Sequence, residues 1–316
     1  MTVFEASRTS AEIASQPDTW TRAAGSVSAY PDVFPRRGER VAVVGCGTSW
    51  FMAHAYAELR EGGGHGETDA FAASEFRTGR GYDRVLAITR SGTTTEVLHL
   101  LAGIKGSVPT GAITADPATP VMDAADAVAV LDFADEDSVV QTRFATTSLV
   151  LLRAHLEAER ALPAGVRRVE TAVRDARRAL ALPLDPRLSG AEQITFLGTG
   201  WTYGLALEAG LKMREAAGAW TEAYPAMEYR HGPISITGPG RATWLFGPAP
   251  RGLGDEVERV GGHFAAASTD EAGALDPLAD LTTAQRLAVH AAHARGYDPD
   301  RPRNLTRSVV LGSAAA

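Results

Sequence analysis

Cysteine is all but absent from this 316-residue chain, which carries only Cys46. A single thiol excludes an internal disulfide framework and a cysteine-rich zinc site, and it suits a reducing compartment. Between two glycines, Cys46 reads as a small buried hydrophobe rather than a nucleophile. Long apolar runs are missing as well. None approaches the roughly 18 residues of a membrane span, and the first twenty residues lack the charged-then-apolar pattern of a signal peptide. A cytoplasmic protein without a membrane partner is expected. Basic clusters are lacking too: the net charge is -7, the pI is near 5.7 and no run of five cations occurs, which argues against a nucleic-acid footprint. Any phosphate bound here should be small and locally caged. What the chain does have is 45% apolar residues, enough for a large core, and at roughly 150 residues per domain its length points to two domains.

Strand and helix signals alternate. Arg40 to Val44 is an apolar, β-branched strand that ends in Gly45-Cys46-Gly47-Thr48-Ser49 and leads into an amphipathic run from Trp50 to Glu61. Asp69 to Phe76 reads as a weaker strand. Arg84 to Ile88 is a third, followed by Thr89-Arg90-Ser91-Gly92-Thr93-Thr94-Thr95 and a helix from Glu96; Gly111 to Thr114 and Ala127 to Val130 supply two more. This order predicts a parallel sheet with helices on both faces. After a charged helical stretch, Ala164 to Leu182, and a proline-rich break, the pattern restarts. Gln193 to Leu197 runs into Gly198-Thr199-Gly200, which aligns with Gly45-Cys46-Gly47 at an offset of 153 residues and marks an internal duplication. Further strands are predicted at Ala219 to Ala223, Ala242 to Phe246 and Phe264 to Ala267, and a helix at Thr282 to Arg295. The expected organisation is an N-terminal helical segment over 1–36, a first domain over 37–163, a connecting helix and linker over 164–190, a second domain over 191–310 and a disordered tail over 311–316.

Two clusters carry chemistry. Thr89, Ser91, Thr93, Thr94 and Thr95 crowd a glycine turn where a strand hands over to a helix, so hydroxyls and free helix-end amides converge as an anion cradle. Serine and threonine also cap helices, but one or two hydroxyls suffice for that. Gly45-x-Gly47 invites a dinucleotide reading, yet Trp50 stands at the third glycine of that fingerprint. The second cluster is the helical run Tyr203 to Glu215, which puts Glu208, Lys212 and Glu215 on one face. Downstream, His231 precedes a Gly-Pro turn that can present its ring to a site.

Gly45-Cys46-Gly47-Thr48-Ser49, Thr89 to Thr94, Glu136 to Arg143, Glu208 to Glu215, Glu228-Tyr229-Arg230-His231-Gly232-Pro233 and Asp298 to Val310 occur in one order, and in that order the chain resembles the sugar isomerase (SIS) family in its double-domain form. It is most similar to the isomerase half of glucosamine-6-phosphate synthase and to related amino-sugar-phosphate deaminase/isomerases. The resemblance implies an α/β fold of two tandem, flavodoxin-like αβα sandwiches with parallel sheets. It implies that Ser49, Thr89, Ser91 and Thr94 hold a sugar 6-phosphate, with Arg90 in place of the family's amide able to add a charge-assisted contact. Gly47, Thr48, Ser138 and Gln141 would line the substrate pocket. Glu215 would move a proton between C1 and C2, Glu208 and Lys212 would support it, and His231 would open the sugar ring across the interface of a homodimer with shared active sites. No cofactor and no metal are implied.

Two departures shape the expected activity. No counterpart of the synthase's glutaminase domain is expected, since Thr2 stands where the resemblance would place that domain's cysteine. The family's imine-forming lysine aligns with Arg307, which stays protonated and cannot form a Schiff base. Aldose–ketose isomerisation or deamination of an amino-sugar 6-phosphate is therefore the expected chemistry, with dehydration by loss of the C3 hydroxyl as an alternative. A sugar-phosphate sensor would need the cradle but not Glu208, Glu215 and His231 together.

Overall fold

The computed structural model of the chain describes residues 7–266 and 273–312. In chain order it runs through helices α1 (Arg8–Ala14) and α2 (Gln16–Gly25), strand β1 (Val41–Gly45), α3 (Thr48–Gly62), β2 (Thr68–Ala72), β3 (Arg84–Ile88), α4 (Thr95–Ile104), β4 (Thr110–Thr114), α5 (Val121–Ala124), β5 (Ala127–Val130), α6 (Arg143–Ala158) and α7 (Val169–Ala181). It continues through α8 (Pro186–Ser189), β6 (Gln193–Gly198), α9 (Trp201–Ala217), β7 (Thr221–Pro225), β8 (Arg241–Phe246), α10 (Leu253–Arg259), β9 (His263–Ala266) and α11 (Pro277–Ala294). Thr2, Ala267 and the tail beyond Gly312 lie outside the described residues.

The strands form two parallel sheets, ordered β2-β1-β3-β4-β5 and β7-β6-β8-β9. The first is the flavodoxin-like 2-1-3-4-5 order, and the second repeats its first four strands among the described residues. Parallel strands covered by helices must be apolar on both faces. Val41, Val43, Val44 and Val85 to Ile88 are accordingly fully buried, as are Phe196, Leu197, Leu245 and Phe246 in the second sheet. The chain thus has the expected pair of parallel-sheet α/β sandwiches. Two compact units result. One comprises the residues up to Pro17, Asp137–Thr142 and Glu170–Leu305; the other comprises Asp18–Glu136, Arg143–Val169 and the residues from Thr306 onward.

Several element bounds differ from expectation for local reasons. The second strand stops at Ala72, because Ala73–Glu75 turns into a 3-10 helix. The strand expected from Ala219 starts at Thr221: Gly218 ends α9 in the left-handed region (φ 57°), and the Ala219 amide still donates to the Met213 carbonyl. The helix expected over Ala164 to Leu182 starts at Val169. The last helix begins earlier than its apolar periodicity suggests, since Asp276 caps it through the Leu278 amide and Pro277 occupies its first position. Periodicity does not reveal α6, because all but a few of its sixteen residues are buried and no polar stripe marks it.

Candidate functional site

Each unit contributes its own set of groups. In the unit of the first sheet, β1 ends in a glycine turn that one close contact and one backbone conformation make obligatory. A Cβ on Gly45 would lie 2.7 Å from the Ser49 carbonyl carbon, and Gly47 sits at φ 53°, ψ -124°, a conformation that side chains resist. The turn brings Thr48 and Ser49 to the start of α3, both buried, with the Ser49 hydroxyl in no hydrogen bond among the described residues. Thr89 and Ser91 are buried at the end of β3. The Ser91 and Thr94 hydroxyls are 3.4 Å apart, and the Thr93 amide donates to Ser91 Oγ over 3.3 Å. Thr94 occupies the N-cap position of α4, yet its side chain forms no capping bond. A pure capping role would engage that hydroxyl, so the cluster has donors to offer an anion at a helix N-terminus. Gly92 makes the turn possible: at φ 61° its Cβ would fall 2.0 Å from Thr119 Oγ1.

Arg90 does not point its charge at open space. It is 4% exposed, with Nη1 3.5 Å from the Glu136 carboxylate, which is itself buried, and with Nη2 donating to the Arg307 carbonyl at 3.2 Å. Arg307 is held in turn. Its Nη2 reaches both carboxylate oxygens of Asp135, at 2.5 and 2.7 Å, and its Nη1 donates to the Glu136 carbonyl. Bidentate pairing of this kind fixes a guanidinium in orientation as well as position. Asp135 has no place among the expected site residues, and Glu136 appears there only within a motif. The signal that could find them is the acidic run Asp135-Glu136-Asp137 in a chain that also carries Arg90 and Arg307.

In the unit of the second sheet, β6 leads through Gly198-Thr199-Gly200 into α9. Glu208 and Lys212 are 0% and 1% exposed, with Lys212 Nζ 3.5 Å from Glu208 Oε1. The same ammonium pairs more closely with Glu215, whose side chain is 19% exposed. The three charges expected on one helix face are therefore together, buried at one end and open at the other. The buried ammonium donates a hydrogen bond to Glu215 and balances the charge of Glu208 as an ion pair, which leaves Glu215 as the carboxylate within reach of a ligand. His231 closes a 3-10 turn, Glu228–His231, is exposed, and precedes Gly232 at φ 133°. Its ring forms no hydrogen bond or ion pair among the described residues.

The two remaining candidates behave differently. Ser138 is buried and its hydroxyl engages the Glu12 carboxylate and the Val140 carbonyl, while Glu12 also accepts from the Asp137 and Ser138 amides at 2.6 and 3.2 Å. A ligand could use Ser138 only by displacing Glu12. Gln141, in contrast, keeps a buried Oε1 with no hydrogen-bond partner among the described residues. The Cys46 thiol is pushed up to about 11 by burial and by the nearby Glu96 charge, so it stays protonated at neutral pH and is a poor nucleophile. Among the described residues no group of three or more His, Cys, Asp or Glu could hold a metal ion, and no helix is long and apolar enough to cross a membrane.

No family model matches the chain. Curated relatives include the isomerizing glutamine–fructose-6-phosphate aminotransferases of Xanthomonas campestris pv. campestris, 29% identical over 335 residues that cover 89% of this chain and 53% of the relative, and of Methanothermobacter thermautotrophicus, 28% identical over 325 residues that cover 92% and 54%. The chain thus spans about half the length of the curated relatives it matches. Among solved structures, the glucosamine-6-phosphate deaminase of Thermotoga maritima superposes with a TM-score of 0.82 at 24% identity, covering 96% of this chain and 100% of its own. The tagatose-6-phosphate ketose/aldose isomerase of Escherichia coli does so with a TM-score of 0.77 at 20% identity, covering 98% and 97%. These two establish a shared fold.

Proposed function

We propose that the chain is a double SIS-domain protein and that it acts on an amino-sugar 6-phosphate by abstracting the C2 proton, as an aldose–ketose isomerase or deaminase. The observation that carries this reading is the α9 face, where Lys212 pairs with buried Glu208 and with partly open Glu215. Glu215 serves as the base. Lys212 orients it and offsets the charge of two carboxylates that would otherwise repel. Ser49, Thr89, Ser91 and Thr94 take the phosphate with the first amides of α4. The reaction needs no covalent link: Arg307 cannot form an imine, and Lys212 is paired with carboxylates on both sides. The enediol or enolamine left by deprotonation is reprotonated at C1, giving the ketose or, for a 2-amino sugar, a C2 ketimine that takes up water and releases ammonia. His231, exposed and unengaged, opens the sugar ring in the site of a second copy of the chain, so that the working form is a homodimer.

Hexose and hexosamine 6-phosphates incubated with the protein in D2O test this directly. Deuterium should enter at C2 of at least one hexosamine phosphate, with ammonia or ketose appearing alongside. Absence of exchange across the whole panel would remove the enzymatic reading in favour of a sensor. Mixing inactive His231→Ala and Glu215→Gln chains should restore activity in hybrid dimers; exchange of subunits without recovery would show that His231 does not act across an interface.

A further inference from the structure

Helix α4 carries a second stripe besides its hydroxyl-rich first turn. His99 and Leu100 lie three and four residues after Glu96, and Gly103 lies four and three after them, hence all on one face. That face borders an open cavity of about 340 Å³, lined on the other side by the stretch that follows β2, including Ala73 and Phe76. Much of the wall is apolar, with Ala73, Phe76, Leu100 and Ile104 belonging to the core cluster of this sheet. Gly103 leaves it open: a Cβ there would meet no atom within 4 Å, although glycine is a poor choice inside a helix.

One polar atom is at odds with this lining. Glu96 Oε2 is buried and has no hydrogen-bond partner among the described residues. No lysine or arginine lines the cavity to neutralise it. The first turn of α4 favours a negative charge there, but a dipole does not replace a donor, and a buried acceptor left without one is costly. A ligand that supplies the donor recovers that loss. An ammonium does so best, because a hydrogen bond between ions is about twice as strong as one between neutral groups, and an anion is repelled by the same carboxylate.

We propose that this cavity is a binding site for a small organic ammonium compound, whose cationic head donates to Glu96 and whose apolar body lies against Phe76, Leu100 and Ile104. Its volume sits at the lower end of the range of about 300–1,000 Å³ usual for small-molecule pockets, which suits a compact ligand. The inference does not depend on the reaction proposed for the α9 face.

The test titrates n-butylammonium and, separately, n-butanol into the 15N-labelled full chain at pH 7 and follows backbone amide shifts. Butylammonium should bind in the millimolar range with its largest shifts at Glu96, His99, Leu100 and Gly103, and at least about fivefold more tightly than butanol. Gly103→Leu fills the cavity and should abolish binding. Glu96→Gln keeps size and shape, and should lower butylammonium affinity about tenfold while leaving butanol unchanged. If Gly103→Leu fails to fold, the Glu96→Gln comparison alone decides. Shifts located elsewhere, equal affinity for amine and alcohol, or amine binding untouched by Glu96→Gln would each overturn the proposal.

Discussion

The two sheets begin with the same device and then part company. Gly47 and Gly200 adopt nearly the same backbone angles, φ 53°, ψ -124° and φ 55°, ψ -129°. Gly45 and Gly198 are each blocked by the backbone four residues on, at 2.7 and 2.3 Å from a would-be Cβ. At the shared offset of 153 residues, however, Glu208, Lys212 and Glu215 stand opposite Ala55, Leu59 and Gly62, and Ser49 stands opposite Thr202. The Thr202 hydroxyl is engaged: it donates to the Phe246 carbonyl at 2.8 Å and accepts from the Thr199 amide at 2.8 Å. The Ser49 hydroxyl has no such bonds among the described residues. After β3 the chain presents Thr89 to Thr95, whereas after β8 it presents Gly247-Pro248-Ala249-Pro250. The same glycine-dependent turn therefore recurs in both halves, while the side chains at equivalent positions differ, with a cluster of hydroxyls in one half and paired charges in the other.

That division can be broken at either end. The largest effect is expected from Glu215→Gln, which preserves shape and removes the base. Turnover should fall by about 10²–10⁴-fold with sugar-phosphate affinity little changed, measured by steady-state kinetics beside calorimetry. A loss of affinity without loss of turnover would assign Glu215 to binding. Lys212→Met should cost about 3–5 kcal/mol in denaturant unfolding, because it removes the ammonium from beside a fully buried carboxylate. The equivalent Leu59 already sits in an apolar setting, so Leu59→Met should cost under about 1.5 kcal/mol. Comparable costs at the two positions would deny that the halves differ in electrostatics.

Smaller again is the cradle itself. Ser91→Ala with Thr94→Ala should weaken sugar-phosphate binding by about 1–3 kcal/mol in total, with no change in fold by circular dichroism. Unchanged affinity would move the phosphate elsewhere.

The subtlest contrast is in pH. In the unit of the first sheet, burial lowers His155 to about 4, and His65 and Arg60 push it the same way against the opposing pull of Glu159. Its ring stacks on Phe34 with centroids 4.5 Å apart. A histidine held neutral contributes stability above its unfolded value near 6.5, and that contribution is lost as pH falls through 4. In the other unit, burial raises Asp280 to about 6 even though Trp244 Nε1 donates to it at 3.0 Å. Its contribution runs the opposite way: it is complete below 3.8 and lost as pH rises through 6. Asp280→Asn should therefore stabilise the protein at pH 7 and lose that advantage by pH 4. His155→Phe should flatten the acid side of the stability curve. Denaturant unfolding at a series of pH values checks both, and slopes of the same sign would refute the assignment.

Strands were legible because a parallel sheet demands near-continuous apolar runs, and Val41 to Val44 or Arg84 to Ile88 can hardly be anything else in this composition. The acid-base face was legible because helical spacing is rigid: positions 208, 212 and 215 must share a side of α9 whatever packs on it. Arg307 shows the limit. The family resemblance implies a lysine-to-arginine exchange at its position, but the bidentate contact with Asp135 spans 172 positions in the chain, and no local pattern encodes it. Ser138 shows the same limit from the other side. Its motif suggested a pocket group, yet Glu12, 126 positions away, engages its hydroxyl.

By itself, then, the sequence determined what depends on neighbours a few residues apart: strand and helix order, the glycine turns, the duplication, and the coincidence of three charges on one helical face. Those features rest on backbone sterics and on periods of two and 3.6 residues. Only the tertiary structure decided which of these groups are engaged and which remain available. It buried Glu208 and left Glu215 partly open, turned Arg90 toward Glu136, and left Glu96 Oε2 without a hydrogen-bond partner among the described residues, on a residue that lines a cavity. Burial and pairing depend on side chains brought together from distant parts of the chain, and the energies that shift a charge or strand a hydrogen-bond acceptor act through space rather than along the sequence.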